Sequence, residues 1–208
     1  MNLLILGATG PTGRHVVDLA LAAGDGVTVL VRRPEALEDL ADRVTVVAGD
    51  ATSHGDVAKA MVGQDAVVSA LGRSTSIRAD DLFTRAAAAV IGAAREQNVS
   101  RLVWLSSFGV GETYRSASLV QKIFYRTFLR SIYANKAISE RAIRASGLDW
   151  TLVYPTMLTE GPAKGGYRAG DRLPMKGNPT ISRADVADFL HKASHDPAWI
   201  HRDAVITD

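Results

Sequence analysis

The feature that most constrains this chain is the segment Gly7-Ala8-Thr9-Gly10-Pro11-Thr12-Gly13. It follows an apolar run that ends at Gly7. It precedes a stretch with apolar residues at Val16, Val17, Ala20 and Leu21, a helical spacing. A strand that ends in glycines and feeds a helix gathers backbone N–H groups and the positive end of the helix dipole at one point, which suits a pyrophosphate. Gly7 permits the tight turn, Gly10 lets the backbone approach phosphates, and Gly13 lets the helix pack close to the strand. Thr9 and Thr12 add hydroxyl donors. The spacing is G-x-x-G-x-x-G rather than G-x-G-x-x-G, so position in the strand–turn–helix unit carries the inference. It predicts dinucleotide binding, with a purely structural turn as the rival reading.

The rest of the chain repeats the same unit. Val27–Arg32, Arg43–Ala48, Ala66–Leu71, Arg101–Ser106 and Trp150–Tyr154 read as strands, with a final short one at Ala204–Thr207. Helical patterns cover Pro34–Ala41, Gly55–Val62, Asp80–Gln97 and roughly Leu119–Ser146, the last in two pieces. Ser182-Arg183-Ala184-Asp185 reads as a capping box that opens a further helix. The strands are apolar throughout, as expected when helices cover both faces. The expectation is an α/β fold: a doubly wound parallel sheet with a small loop-rich C-terminal cap. No repeat or linker interrupts it, so 1–208 reads as a single domain. Thr159–Pro179, with many Gly and Pro residues, reads as loop.

Strand two ends in Val31-Arg32-Arg33-Pro34, with no acidic residue to hold ribose hydroxyls. An arginine pair there suits a 2′-phosphate, because guanidinium binds phosphate bidentately. NADP(H) is therefore expected over NAD(H), unless the arginines are merely solvated. Asp50 and Ala51 follow strand three, where Asp50 either accepts from the adenine amine or caps the next helix. Ala70, Leu71 and Gly72 follow strand four, with small residues where the cofactor must pass.

Composition narrows the function classes. The chain has 208 residues and no cysteine, which excludes a disulfide scaffold, Cys-ligated zinc and a thiol nucleophile. The lack of cysteine fits a reducing compartment, and a cytoplasmic location is expected. The N-terminal residues lack the basic region of a secretion signal, and the longest apolar run, nine residues from Ala86 to Ala94, is too short for a membrane span. The net charge of +2 hides an asymmetry: residues 101–145 carry eight basic and two acidic side chains. Neither nucleic acid nor membrane is implied by so small a net charge.

Together Gly7–Gly13, Val31–Pro34, Gly49–Ala51, Gly63–Val68, Ser106–Gly109 and Ser146–Pro155 resemble the short-chain dehydrogenase/reductase superfamily in its atypical branch. Within that branch it resembles NmrA-like NAD(P)H-binding proteins and biliverdin reductase B/flavin reductase. The resemblance implies roles by position. Ser107 matches the active-site serine near the nicotinamide, with Ser106 beside it. Lys136 matches the lysine that holds the nicotinamide ribose. Tyr154, Pro155 and Thr156 fall at the loop that contacts the carboxamide.

One departure matters. The superfamily's Tyr-x-x-x-Lys pair would put tyrosine four residues before Lys136, where this chain has Ile132. Tyr133, three residues before, lies about 100° further round a helix and is either a proton donor or a packing aromatic. The biliverdin/flavin reductase-like branch does not rely on that pair. The expected activity is therefore NADP(H)-dependent hydride transfer to a small or conjugated acceptor such as a flavin or quinone. The alternative is a non-catalytic NADP(H) sensor. A sugar-nucleotide epimerase is disfavoured by the short region after strand six.

Residues 107–135 and 156–178 are expected to build the acceptor pocket. Within them, helix 118–133 carries Lys122, Arg126 and Arg130 as one stripe beside a wide apolar face. That helix reads as packed on the sheet, as a pocket wall or dimer surface, or, less favoured, as a membrane or nucleic-acid face. A monomer or homodimer is expected. His191 and His195 have a zinc-like i,i+4 spacing but lack the H-E-x-x-H glutamate, so no metal is expected.

Overall fold

The computed structural model describes residues 1–72, 81–110, 130–175 and 177–208. Seven strands form the parallel body of one sheet: β1 Asn2–Leu6, β2 Gly26–Val31, β3 Thr45–Ala48, β4 Ala66–Ser69, β5 Arg101–Leu105, β6 Asp149–Pro155 and β10 Arg202–Thr207. The spatial order is β3-β2-β1-β4-β5-β6-β10, closed by the antiparallel edge strand β8, Arg168–Gly170. The order reverses between β1 and β4, the switch point where doubly wound sheets bind ligands.

Successive residues of each strand feed opposite faces. Leu4 and Leu6 join a core under α2 (His54–Met61), α3 (Leu82–Gln97) and α4 (Arg130–Arg144). Leu3 and Ile5 join a second core under α1 (Pro11–Ala22) and α5 (Arg183–His195). Both faces are covered, which is why the strands read as continuous apolar runs.

The doubly wound parallel sheet expected from sequence is present. Pro34–Leu40 is a kinked 3-10 helix rather than α-helix. The segment read as loop contains β8. It is flanked by a two-stranded parallel pair, β7 Met157–Thr159 and β9 Thr180–Ser182. Three-residue strands are too short to show alternation, so their signal was absent from the pattern. Ser182 caps α5 by accepting from the Asp185 N–H over 3.0 Å. The buried Asp185 carboxylate takes the Ser182 hydroxyl and the N–H groups of Lys164 and Gly165, which ties the cap to the helix.

Candidate functional site

The parallel register gathers six loops at the carboxyl edge of the sheet, after β1, β2, β3, β4, β5 and β6. Backbone bonds fix them to one another. Ala70 N–H donates to Leu6 over 2.9 Å, Gly49 N–H to Val31 over 2.9 Å, and Phe108 N–H to Pro155 over 3.0 Å. Gly7, Arg32, Asp50, Ala70, Ser107 and Thr156 all lie just beyond the carboxyl ends of these strands.

The glycine turn fits a pyrophosphate on its geometry. Gly7 has φ +84°, and a Cβ there would lie 2.7 Å from the Ala70 carbonyl oxygen. A Cβ on Gly13 would lie 2.0 Å from the Gly7 carbonyl oxygen, so α1 packs against the strand end only because that residue is glycine. Gly10 caps α1 with no side-chain acceptor, Pro11 occupies the first turn and no acidic residue does. The first N–H groups of α1 are thus left for an outside anion. Thr9 is exposed, while Thr12 and Ala8 are buried.

Arg32 and Arg33 are both exposed just beyond β2. Asp50 accepts from the Thr52 N–H over 2.8 Å and does not cap α2; Ser53 does, accepting from the Asp56 N–H. The Thr52 backbone bond holds the Asp50 carboxyl below the usual range against the opposing effect of burial, with a smaller contribution from Arg32.

Past β5 the polar groups converge. Lys136 Nζ on α4 donates to Ser107 Oγ over 2.8 Å and sits 4.8 Å from the centre of the Phe83 ring. Burial pushes the ammonium down to about 8, opposed by the charge of Glu140. Tyr133 Oη donates to the Phe108 carbonyl over 3.2 Å, beside the Ser107 segment. Ser106 turns the other way and donates to the buried Glu140 carboxyl.

Glu140 opens a second, deeper network. Burial raises its pKa, against the Ser106 and Tyr154 hydroxyls, Arg144 and Lys136. Burial also raises the Tyr154 phenol, whose oxygen accepts from Arg144 Nη2 over 2.9 Å. Arg144 in turn grips Asp203 through two bonds of 2.7 and 3.0 Å. The Tyr154 hydroxyl therefore belongs to the core beneath α4, while Pro155 and Thr156 continue to the carboxyl edge. Sequence reading missed Glu140, Arg144 and also Asn135, which accepts from the N–H groups of Phe83 and Thr84 at the start of α3. The signal existed: Lys136, Glu140 and Arg144 repeat every four residues, so they share a helix face. The stripe of Lys122, Arg126 and Arg130 lies outside the residues whose side chains are described, as does most of the expected pocket segment 107–135.

Among the described residues no helix is long and apolar enough to cross a membrane. A protein family described as NAD(P)H-binding matches residues 7–197. The structure of ChuY, an anaerobilin reductase of Escherichia coli O157:H7, superposes with a TM-score of 0.83 at 26% identity, covering 99% of this chain and 96% of that one. A short-chain dehydrogenase/reductase of Veillonella parvula in complex with NADP shares the fold, with a TM-score of 0.80 at 18% identity over 100% of this chain and 94% of that one. The isoflavone reductase of Medicago sativa is 25% identical over 97% of this chain, which spans 68% of the length of that enzyme.

Proposed function

The chain belongs to the NAD(P)H-binding family, and from that premise we propose that it is an NADP(H)-dependent reductase acting on a small conjugated acceptor. Flavins, quinones and linear tetrapyrroles are the acceptor classes to test, the last because of the likeness to an anaerobilin reductase. The observation that carries the reading is the Lys136–Ser107 hydrogen bond at the carboxyl edge.

The glycine turn and the N-terminus of α1 would hold the pyrophosphate, and Arg32 and Arg33 the 2′-phosphate. Lys136 would hold the nicotinamide ribose. Bound NADPH supplies a hydride, and the residues of the chain orient, polarise and exclude water. Ser107 Oγ accepts from an ammonium, which leaves its own O–H free to donate and makes it a stronger donor. It would donate to a heteroatom of the acceptor as negative charge grows there. A conjugated acceptor spreads that charge, so the proton that completes reduction can come from solvent. Ile132 at the superfamily tyrosine position then costs little. On this reading the domain spans 1–208, acts in the cytoplasm as a monomer or homodimer, and binds its acceptor between 107–135 and 156–178.

The missing tyrosine at position 132 is also what a non-catalytic NADP(H) sensor would show. NADPH oxidation, followed by absorbance with a panel of flavins, quinones and linear tetrapyrroles, separates the two readings. Turnover with any of them supports the reductase. Micromolar NADPH binding with no turnover on the whole panel overturns it in favour of the sensor.

A further inference from the structure

Asp25 is the last residue before β2, so it lies at the amino edge of the sheet, opposite the glycine turn. Its side chain is 4% exposed. Two rings from α5 meet its two oxygens. His191 Nε2 stands 2.7 Å from Oδ2, and His195 Nε2 stands 3.0 Å from Oδ1. The Met1 ammonium also donates to Oδ1, over 2.8 Å. The two rings share one helix face, their centres 4.7 Å apart.

The far nitrogen of His195 decides what the cluster can hold. Nδ1 lies 3.1 Å from the His191 carbonyl oxygen and 3.0 Å from Ser194 Oγ. Ser194 gives its own proton to that same carbonyl over 2.7 Å. Nδ1 is therefore faced by two acceptors, and this network assigns the ring proton to it. In the neutral ring Nε2 is then a lone pair aimed at a carboxylate oxygen. In that tautomer two lone pairs meet, an arrangement that a cation between them relieves. A proton is one such cation and a metal ion is another. A ring N–H held on a backbone carbonyl is also how proteins orient histidine metal ligands.

We propose that Asp25, His191 and His195 form a binding site for a divalent transition metal of the zinc class. Two imidazoles and a carboxylate suit that class, with water in the remaining position. Bonds of about 2.0–2.2 Å in tetrahedral geometry place donors roughly 3.4 Å apart. The ion would widen the two His–Asp contacts by less than about 1 Å, and the Met1 ammonium would yield its contact. The site is remote from the carboxyl edge. Its ion would pin α5 to the turn that opens β2 and leave hydride transfer untouched. Sequence spacing gave only the two histidines, because Asp25 lies 166 residues from His191 along the chain.

The test uses the full chain, free of any affinity tag and stripped with chelator. No cysteine is present to bind the probe elsewhere. Zinc chloride at a hundredfold excess over its Kd should raise Tm by about 5–10 °C, with one zinc bound per chain by calorimetry. His191→Gln and His195→Gln should each abolish the shift. His54→Gln, which removes an exposed ring paired with Glu96, should leave it intact. If the variants fail to fold, carbethoxylation of the wild-type chain decides: zinc should protect His191 and His195 but not His54 or His201. The site is overturned by no rise in Tm, by a rise that survives both histidine substitutions, or by no zinc protection of the two rings.

Discussion

Lys136 Nζ donates to Ser107 Oγ over 2.8 Å while the lysine itself is only 7% exposed. Burial brings the ammonium down to about 8, so it titrates within the working range of an enzyme. The ammonium is the form that polarises Ser107, and it is lost as pH rises. We expect kcat/KM to hold below about pH 8 and to fall above it, since that ratio reports groups of the free protein. In Lys136→Ala the break should vanish and the remaining rate should be flat. An unchanged break in the variant removes Lys136 from the chemistry.

The same shift has a consequence for stability. The ordinary lysine value is 10.5, above that of the folded state. Below about pH 8 both states hold the proton and the cost of burying the charge is full. Between the two values the unfolded chain binds more protons, so this group makes stability rise with pH. Lys136→Met should therefore be more stable than wild type at pH 7, by up to roughly 3 kcal/mol. The gain should fade by about pH 10.5. Thermal unfolding at the two pH values measures it.

Arg32 and Arg33 carry the cofactor preference in our reading. Both are exposed beyond β2, and no acidic residue replaces them there. A charge-assisted bond contributes about 1.5–3 kcal/mol. Replacing both with alanine should thus weaken NADPH by roughly tenfold to a hundredfold while leaving NADH nearly unchanged. Equal weakening of the two cofactors, read by calorimetry, would refute the 2′-phosphate role.

The parts of the fold that repeat were legible from the chain. Apolar runs such as Val27–Arg32 and the glycines at 7, 10 and 13 announce themselves locally, because period and turn chemistry are properties of neighbouring residues. Short β7, β8 and β9 do not, since three residues carry no period and their pairing is set by distant strands. The site divides the same way. Motif resemblance singled out Ser107 and Lys136, which the fold joins by a hydrogen bond, and position singled out the glycine turn. The Ser106–Glu140, Phe83–Asn135 and Asp25–His195 bonds join residues 34, 52 and 170 positions apart. Only folding brings such partners together.

Asn135 illustrates a partner of that kind. The residue at the cap position of α3, Asp81, has φ 55° and makes no side-chain cap. Asn135 Oδ1 instead accepts from the Phe83 and Thr84 N–H groups, at 2.9 and 3.2 Å, and its amide donates to Thr84 Oγ1 at 2.7 Å. Asn135→Ala leaves those donors without a partner in a buried place. A lost cap costs about 0.5–2 kcal/mol and an unsatisfied buried group about 1–3. We expect Tm to drop by roughly 4–10 °C, with faster hydrogen exchange confined to the Phe83 and Thr84 amides. Exchange that speeds up evenly across the chain would count against a capping role.

Glu140 sits one turn beyond Lys136 with 2% exposure, and its carboxyl accepts from Ser106. Glu140→Gln keeps that acceptor and removes the charge that opposes the lysine's desolvation. The pH break assigned to Lys136 should move to lower pH in this variant and return in Glu140→Asp. A merely structural glutamate would alter Tm without moving the break, so an unmoved break refutes the positioning role. The stability sign differs from that of a surface carboxylate. Burial raises the Glu140 pKa above its ordinary 4.5, so the folded state holds the proton more tightly than the unfolded chain. Its contribution is fully present below that ordinary value and is lost as pH rises through the folded one. At pH 7, where the unfolded carboxyl is ionised, the raised pKa therefore costs stability. Glu140→Gln should match or exceed the wild-type Tm there, while its advantage disappears near pH 4.5.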